Sequence, residues 1–177
     1  EHTGTITISE GSTATLAELV AINAATTGAI TLSTQTIAEN YTGSAADLVL
    51  AFAGTVTEHT GTLSATGTTT VAQANVLDAA STGVVSATIS DTATNLATLT
   101  GTGNSYTTTI TEGSTATLAE LVTINAATTG AITLSTQTIA ANYSASAADL
   151  VLAFAGTVTE HTGTITISEG STATLAE

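Results

Sequence analysis

Apolar and polar residues alternate through Thr5-Ile6-Thr7-Ile8, the period of a half-buried strand. The pattern then changes. Leu16, Leu19 and Val20 fall on one helical face, and Thr15 with Glu18 forms a capping-box spacing just before them. This predicts a helix that stops at Gly28 in the left-handed C′ position, with Gly83 and Gly130 in the same role. A second alternating segment follows, with Ile30 and Leu32 on one side and Thr31 and Ser33 on the other. Ser44 and Asp47 repeat the capping pattern before Leu48, Val49 and Phe52, and Gly54 closes that short helix. The predicted fold is α/β: a repeat solenoid of strand-helix-strand-short helix coils stacked on a parallel sheet. Both strands are one-sided, so helices are expected on the apolar face and Thr rows on the other.

The chain copies itself. Residues 1–18 recur unchanged as 160–177, and residues 44–61 as 146–163. Residues 10–40 recur as 112–142 with Ala21 replaced by Thr123 and Glu39 by Ala141. Residues 68–104 fit the same template in diverged form. Alignment gives one repeat array over 1–177, with coils at 3–59, 60–104 and 105–161 and the start of another at 162–177. The middle coil lacks most of Ser33–Gly43, which makes that stretch an insertion at one turn. The shared phase of the two ends reads as a window on a longer repetitive chain.

Composition narrows the function. Thr and Ser supply 60 of 177 residues, and Lys, Arg, Cys, Met, Trp and Pro are absent. A net charge of −14 without a cation repels phosphate backbones and anionic lipid, which excludes nucleic-acid binding. No apolar run approaches the ~18 residues of a membrane span, so no membrane insertion is expected. Stability has to come from apolar burial and hydrogen bonds. A chain without Lys or Arg offers trypsin-like proteases nothing to cut, and one without Cys or Met lacks the main oxidation targets; both suit an extracellular or cell-surface location.

The run Ala-x-Leu-Ala-x-x-x-x-Ile-Asn-Ala-Ala-Thr-Thr-Gly spans Ala14–Gly28 and Ala116–Gly130, and Asp91–Leu96 reads Asp-Thr-Ala-Thr-Asn-Leu. These stretches, with Val71–Gly83, resemble the Ala/Thr-rich tandem repeats of giant bacterial, cyanobacterial-type cell-surface and secreted proteins. The resemblance implies a surface or secreted repeat protein. Such repeats sometimes lie beside haemolysin-type calcium repeats, but the glycine-rich calcium nonapeptide is missing here.

Candidate sites are few. Asn23, Asp78 and Asn125 occupy one equivalent position inside the apolar stripe of a helix, where a polar side chain must be bonded. They are expected to form a structural ladder satisfying backbone groups of a neighbouring coil or helix end. His2, His59 and His161 sit in Glu-His-Thr-Gly and are expected in exposed turns. One His per coil does not supply the three or four ligands of zinc, nor one Asn the six to eight oxygens of calcium. No catalytic residue, cofactor or metal site is therefore assigned, with Ca²⁺ the single ion kept in view.

Asn40, Tyr41, Asn142 and Tyr143 lie in the inserted segments, Gln35–Gly43 and Gln137–Ala145, and are candidates for a surface loop. The expected function is an extracellular structural repeat forming a filament, surface layer or adhesin stalk by head-to-tail or lateral self-association. The alternatives are a recognition module binding carbohydrate or cell envelope through those loops, and a Thr-rich ice-binding face. The enzyme class is not supported, because no nucleophile has an identifiable base.

Overall fold

The computed structural model describes residues 2–168 and 170. The fold is α/β, with nine strands and eight helices among the described residues, and the largest sheet has five parallel strands in the order β3-β4-β5-β6-β7. The chain divides into two compact units, Glu1–Thr88 and Ile89–Glu177.

The first unit runs β1 (Ile6–Thr7), α1 (Leu16–Ala25), β2 (Ile30–Thr31), α2 (Thr34–Ala38), β3 (Tyr41–Ser44), α3 (Ala45–Phe52), β4 (Leu63–Thr68) and α4 (Val71–Ala80). β5 (Val85–Asp91) carries the division between the units. The second continues with α5 (Ala93–Leu96), β6 (Ser105–Ile110), α6 (Leu118–Ala127), β7 (Ile132–Thr133), α7 (Thr136–Ala140), β8 (Tyr143–Ala145), α8 (Ala147–Phe154) and β9 (Ile165–Ile167).

Pairing within each unit is parallel and keeps a narrow sequence offset. Ile6 lies opposite Ile30, Ile30 opposite Val56, Tyr41 opposite Leu63, and Leu63 opposite Val85. In the second unit Thr108 faces Ile132, Ile132 faces Val158, and Tyr143 faces Ile165. Duplicated sequence therefore makes duplicated contacts. Alternation is plain in β5, where Val85, Ala87 and Ile89 are buried and Thr88 and Ser90 are exposed. Helices pack on one another within each unit, α1 on α3 and α3 on α4, then α5 on α6 and α6 on α8.

Caps set the helix starts. Thr15 and Thr117 form full capping boxes with Glu18 and Glu120, and Thr70 does so with Gln73. Ser44 and Ser146 accept the backbone N–H of Asp47 and Asp149. These carboxylates sit where helix N-termini favour negative charge, which suits a chain with no cation to offer.

Two backbone expectations are corrected. Gly28, Gly83 and Gly130 do not adopt a positive φ; the first helix ends earlier, at Thr26, in extended backbone. Their glycine is required by close approach instead. A Cβ on Gly28 would sit 2.1 Å from the Gly4 carbonyl oxygen, one on Gly83 2.0 Å from that of Gly61, and one on Gly130 2.2 Å from that of Tyr106. The inserted stretch is also ordered rather than a plain loop, since it contains α2 and β3. Ser33, expected on the polar side, is fully buried as the N-cap of α2.

Candidate functional site

The Thr-Thr-Gly and Ser-Thr-Gly runs after α1, α6 and α4 do one job. Thr26 Oγ1 donates to the His2 carbonyl at 2.8 Å and accepts the Gly28 N–H at 2.9 Å. Ser81 Oγ donates to the His59 carbonyl and accepts from Gly83, each at 3.0 Å. Thr128 Oγ1 donates to the Tyr106 carbonyl at 2.7 Å and accepts from Gly130 at 2.9 Å. A short hydroxyl thus ties each helix end to the strand segment about one pairing offset earlier. The following glycine lets the two backbones touch.

Against this backbone sit two aromatic clusters. Tyr41, Phe52 and His59 have ring centroids 4.8–5.6 Å apart. Tyr143, Phe154 and His161 repeat the arrangement at 5.1–5.6 Å. The expected exposed turn is corrected for His59, which is wholly buried. Its Nε2 lies 2.8 Å from the Glu39 carbonyl and its Nδ1 3.3 Å from Ser81 Oγ. A carbonyl only accepts, so Nε2 carries the hydrogen of the neutral ring. Burial pushes the His59 pKa below its ordinary value, opposed by the carbonyls of Glu39 and Gly61. His161 Nε2 meets the Ala141 carbonyl at 2.8 Å, but its buried Nδ1 has no hydrogen-bond partner among the described residues. His2 is exposed, with Nδ1 3.5 Å from Thr26 Oγ1.

The surface-loop expectation is corrected for Tyr41 and Tyr143, which are both buried. Each hydroxyl donates to a carbonyl at 2.7 Å, Tyr41 to Ala14 and Tyr143 to Ala116. Burial raises the pKa of both phenols. An aromatic ring next to a phenylalanine and an imidazole gains more from packing than from display. Asn40 and Asn142 stay near the surface, and each amide oxygen accepts a backbone N–H, from Thr62 and Thr164, at 2.8 Å.

Asn23 Nδ2 donates to the Leu50 and Ala53 carbonyls at 2.7 and 3.1 Å, at the end of α3. Asn125 repeats this with Leu152 and Ala155 at the end of α8. Each asparagine therefore serves carbonyls that the helix itself leaves over. At the equivalent place on α4, the Asp78 backbone carbonyl accepts from Ser81 N–H at 3.4 Å.

Chemically the site is quiet. Ser81 and His59 form a hydroxyl–imidazole contact, yet both are buried and Nε2 faces a peptide carbonyl instead of a carboxylate. No group of three or more His, Asp or Glu that could hold a metal occurs among the described residues. No helix among them is long and apolar enough to cross a membrane. Sequence reasoning missed the His59 and His161 clusters. The available signal was that a Tyr and a Phe precede the histidine of Glu-His-Thr-Gly at the same two spacings in both copies, Tyr41 and Phe52 before His59 and Tyr143 and Phe154 before His161. No protein-family model, curated protein or solved structure matches the chain.

Proposed function

We propose that this chain is an extracellular structural repeat protein whose turns stack into a solenoid and associate into a filament, surface layer or stalk. One observation carries the reading: His59 sits between two neighbouring stretches of chain, bonded to Glu39 on one side and facing Ser81 on the other. Parallel partners 22 to 26 residues apart support a turn of that size, so each long sequence repeat holds at least two turns. Repeats that contact only their neighbours suit an extended material. The absent basic and oxidisable residues favour a long life outside the cell.

The reading is of a non-enzyme with no cofactor. Recognition of carbohydrate through the inserted segments has less support, because their tyrosines are buried and Asn40 and Asn142 are engaged by backbone. Negative-stain microscopy of concentrated protein tests the structural reading. Fibres or sheets are expected, and discrete particles that bind a glycan array would favour recognition.

A further inference from the structure

We infer that Asn40 and Asn142 are acceptor sites for N-linked sugar, open to a glycosyltransferase in the folded chain. The inference goes beyond the structural reading above and does not depend on the stacking of turns.

Asn40-Tyr41-Thr42 and Asn142-Tyr143-Ser144 match the acceptor tripeptide Asn-x-Ser/Thr. In a chain with 60 Ser and Thr among 177 residues, that match alone decides nothing. The state of the carboxamides decides it. Asn23 and Asn125 spend Nδ2 on two helix-end carbonyls each, and Asn95 Nδ2 donates to Asp91 at 2.8 Å. Asn104 is buried. None of these four, nor Asn75, has Ser or Thr two positions on. Asn40 and Asn142 are exposed and bonded the other way round. Each uses only Oδ1, which accepts a backbone N–H, from Thr62 or Thr164, at 2.8 Å. A backbone N–H only donates, so the oxygen must face it and Nδ2 is left on the other arm of the amide. Neither Nδ2 donates to a protein group among the described residues. Both asparagines thus combine the tripeptide with an unspent nitrogen.

The strand places the rest of the tripeptide. β3 and β8 begin at Tyr41 and Tyr143, which are buried with their hydroxyls held by the Ala14 and Ala116 carbonyls. Alternation along extended chain turns the residues on either side outward. Thr42 and Ser144 are exposed like the asparagines, and their hydroxyls make no hydrogen bond among the described residues.

Divergence between the copies spares this unit. Residues 10–61 and 112–163 differ at four positions, three of which are Glu39/Ala141, Thr42/Ser144 and Gly43/Ala145. Change is concentrated around the tripeptide, yet the asparagine stays and the third position keeps a hydroxyl.

Transfer forms a bond from Nδ2 to the anomeric carbon of a sugar carried on a diphosphate. The bond from that carbon to the phosphate oxygen breaks, and the diphosphate carrier leaves with the electron pair. One amide proton passes to a base of the transferase. Oδ1 keeps its lone pairs, so its bond from Thr62 or Thr164 survives and the strands need not part. The product is a bulky, hydrated group on the surface.

Intact mass of the full-length folded chain, treated with UDP-glucose and a soluble transferase specific for Asn-x-Ser/Thr, tests this. Two hexoses are expected on the parent, one on Asn40→Gln, one on Asn142→Gln and none on the double variant. Thr42→Ala, which leaves the Asn40–Thr62 bond in place, should lose the same hexose as Asn40→Gln, and Thr42→Ser should keep it. The folded chain should react within about tenfold of a free peptide of residues 36–46, whereas a site that must first unfold is slowed by its whole opening equilibrium. Modification of the peptide but not of the folded chain would overturn the inference. So would bare asparagine at both positions in chain recovered from the cells that make it.

Discussion

His59 Nε2 donates to the Glu39 carbonyl across 2.8 Å, joining residues that stand 20 apart in the chain. Its ring also rests 4.8 Å from Phe52 and 5.6 Å from Tyr41, so one side chain serves a backbone acceptor and an apolar cluster together.

That burial makes stability depend on pH in a defined direction. The folded pKa of His59 lies below the ordinary 6.5, so below that value the unfolded chain binds more protons than the folded one. The contribution of His59 is complete above pH 6.5, declines as pH falls through the folded pKa, and then levels off. The slope cannot exceed about 1.4 kcal/mol per pH unit for one proton. Urea unfolding between pH 8 and 5 should show this decline in the parent chain and a flatter profile in His59→Gln. Equal profiles would remove His59 from the account.

Tyr41→Phe keeps the ring and deletes the donor to Ala14. A buried carbonyl left without its partner costs about 1–3 kcal/mol. Tyr143→Phe should cost the same within about 0.5 kcal/mol, because Ala116 stands in the same relation. Chemical denaturation of the two single variants checks both values.

Glycine substitutions separate two kinds of requirement. Gly83→Ala puts a Cβ 2.0 Å from a backbone oxygen, which cannot yield without moving a strand, and should cost about 3 kcal/mol or more. Gly11→Ala meets no atom within 4 Å but needs a φ of +83°, and should cost about 1–2 kcal/mol. Calorimetric melting of both variants gives the order.

Much of this was legible beforehand, for identifiable reasons. Caps at Thr15, Ser44 and Thr117 follow from spacing of three residues and depend on nothing distant. The alternation of Ile30 and Leu32 with Thr31 likewise records its buried face locally. What sequence could not supply was the close contact of separated backbones. Gly28 reads as a helix stop because nothing nearby announces Gly4, and His59 reads as a turn because Glu39 and Ser81 are remote. Tyr41 reads as a surface residue because it lies in a length-variable segment, whereas its hydroxyl has a buried acceptor 27 residues back.

Asn23→Ala should destabilise the first unit by about 1–2 kcal/mol, since two carbonyls at the end of α3 lose one donor. Asn23→Asp should be worse than alanine, because an ionised carboxylate accepts only and opposes the negative end of the helix dipole. Urea midpoints at pH 7 decide the order, and a more stable aspartate variant would contradict the capping role.

The stacking of chain turns is tested most directly by diffraction from concentrated, aligned protein at about 1 M salt, where the Debye length falls to about 3 Å and the −14 charge is screened. Parallel turns adding along one axis predict a meridional reflection near 4.8 Å, the spacing of hydrogen-bonded strands. Material that stays as separate particles, or orders without that axial spacing, contradicts the account.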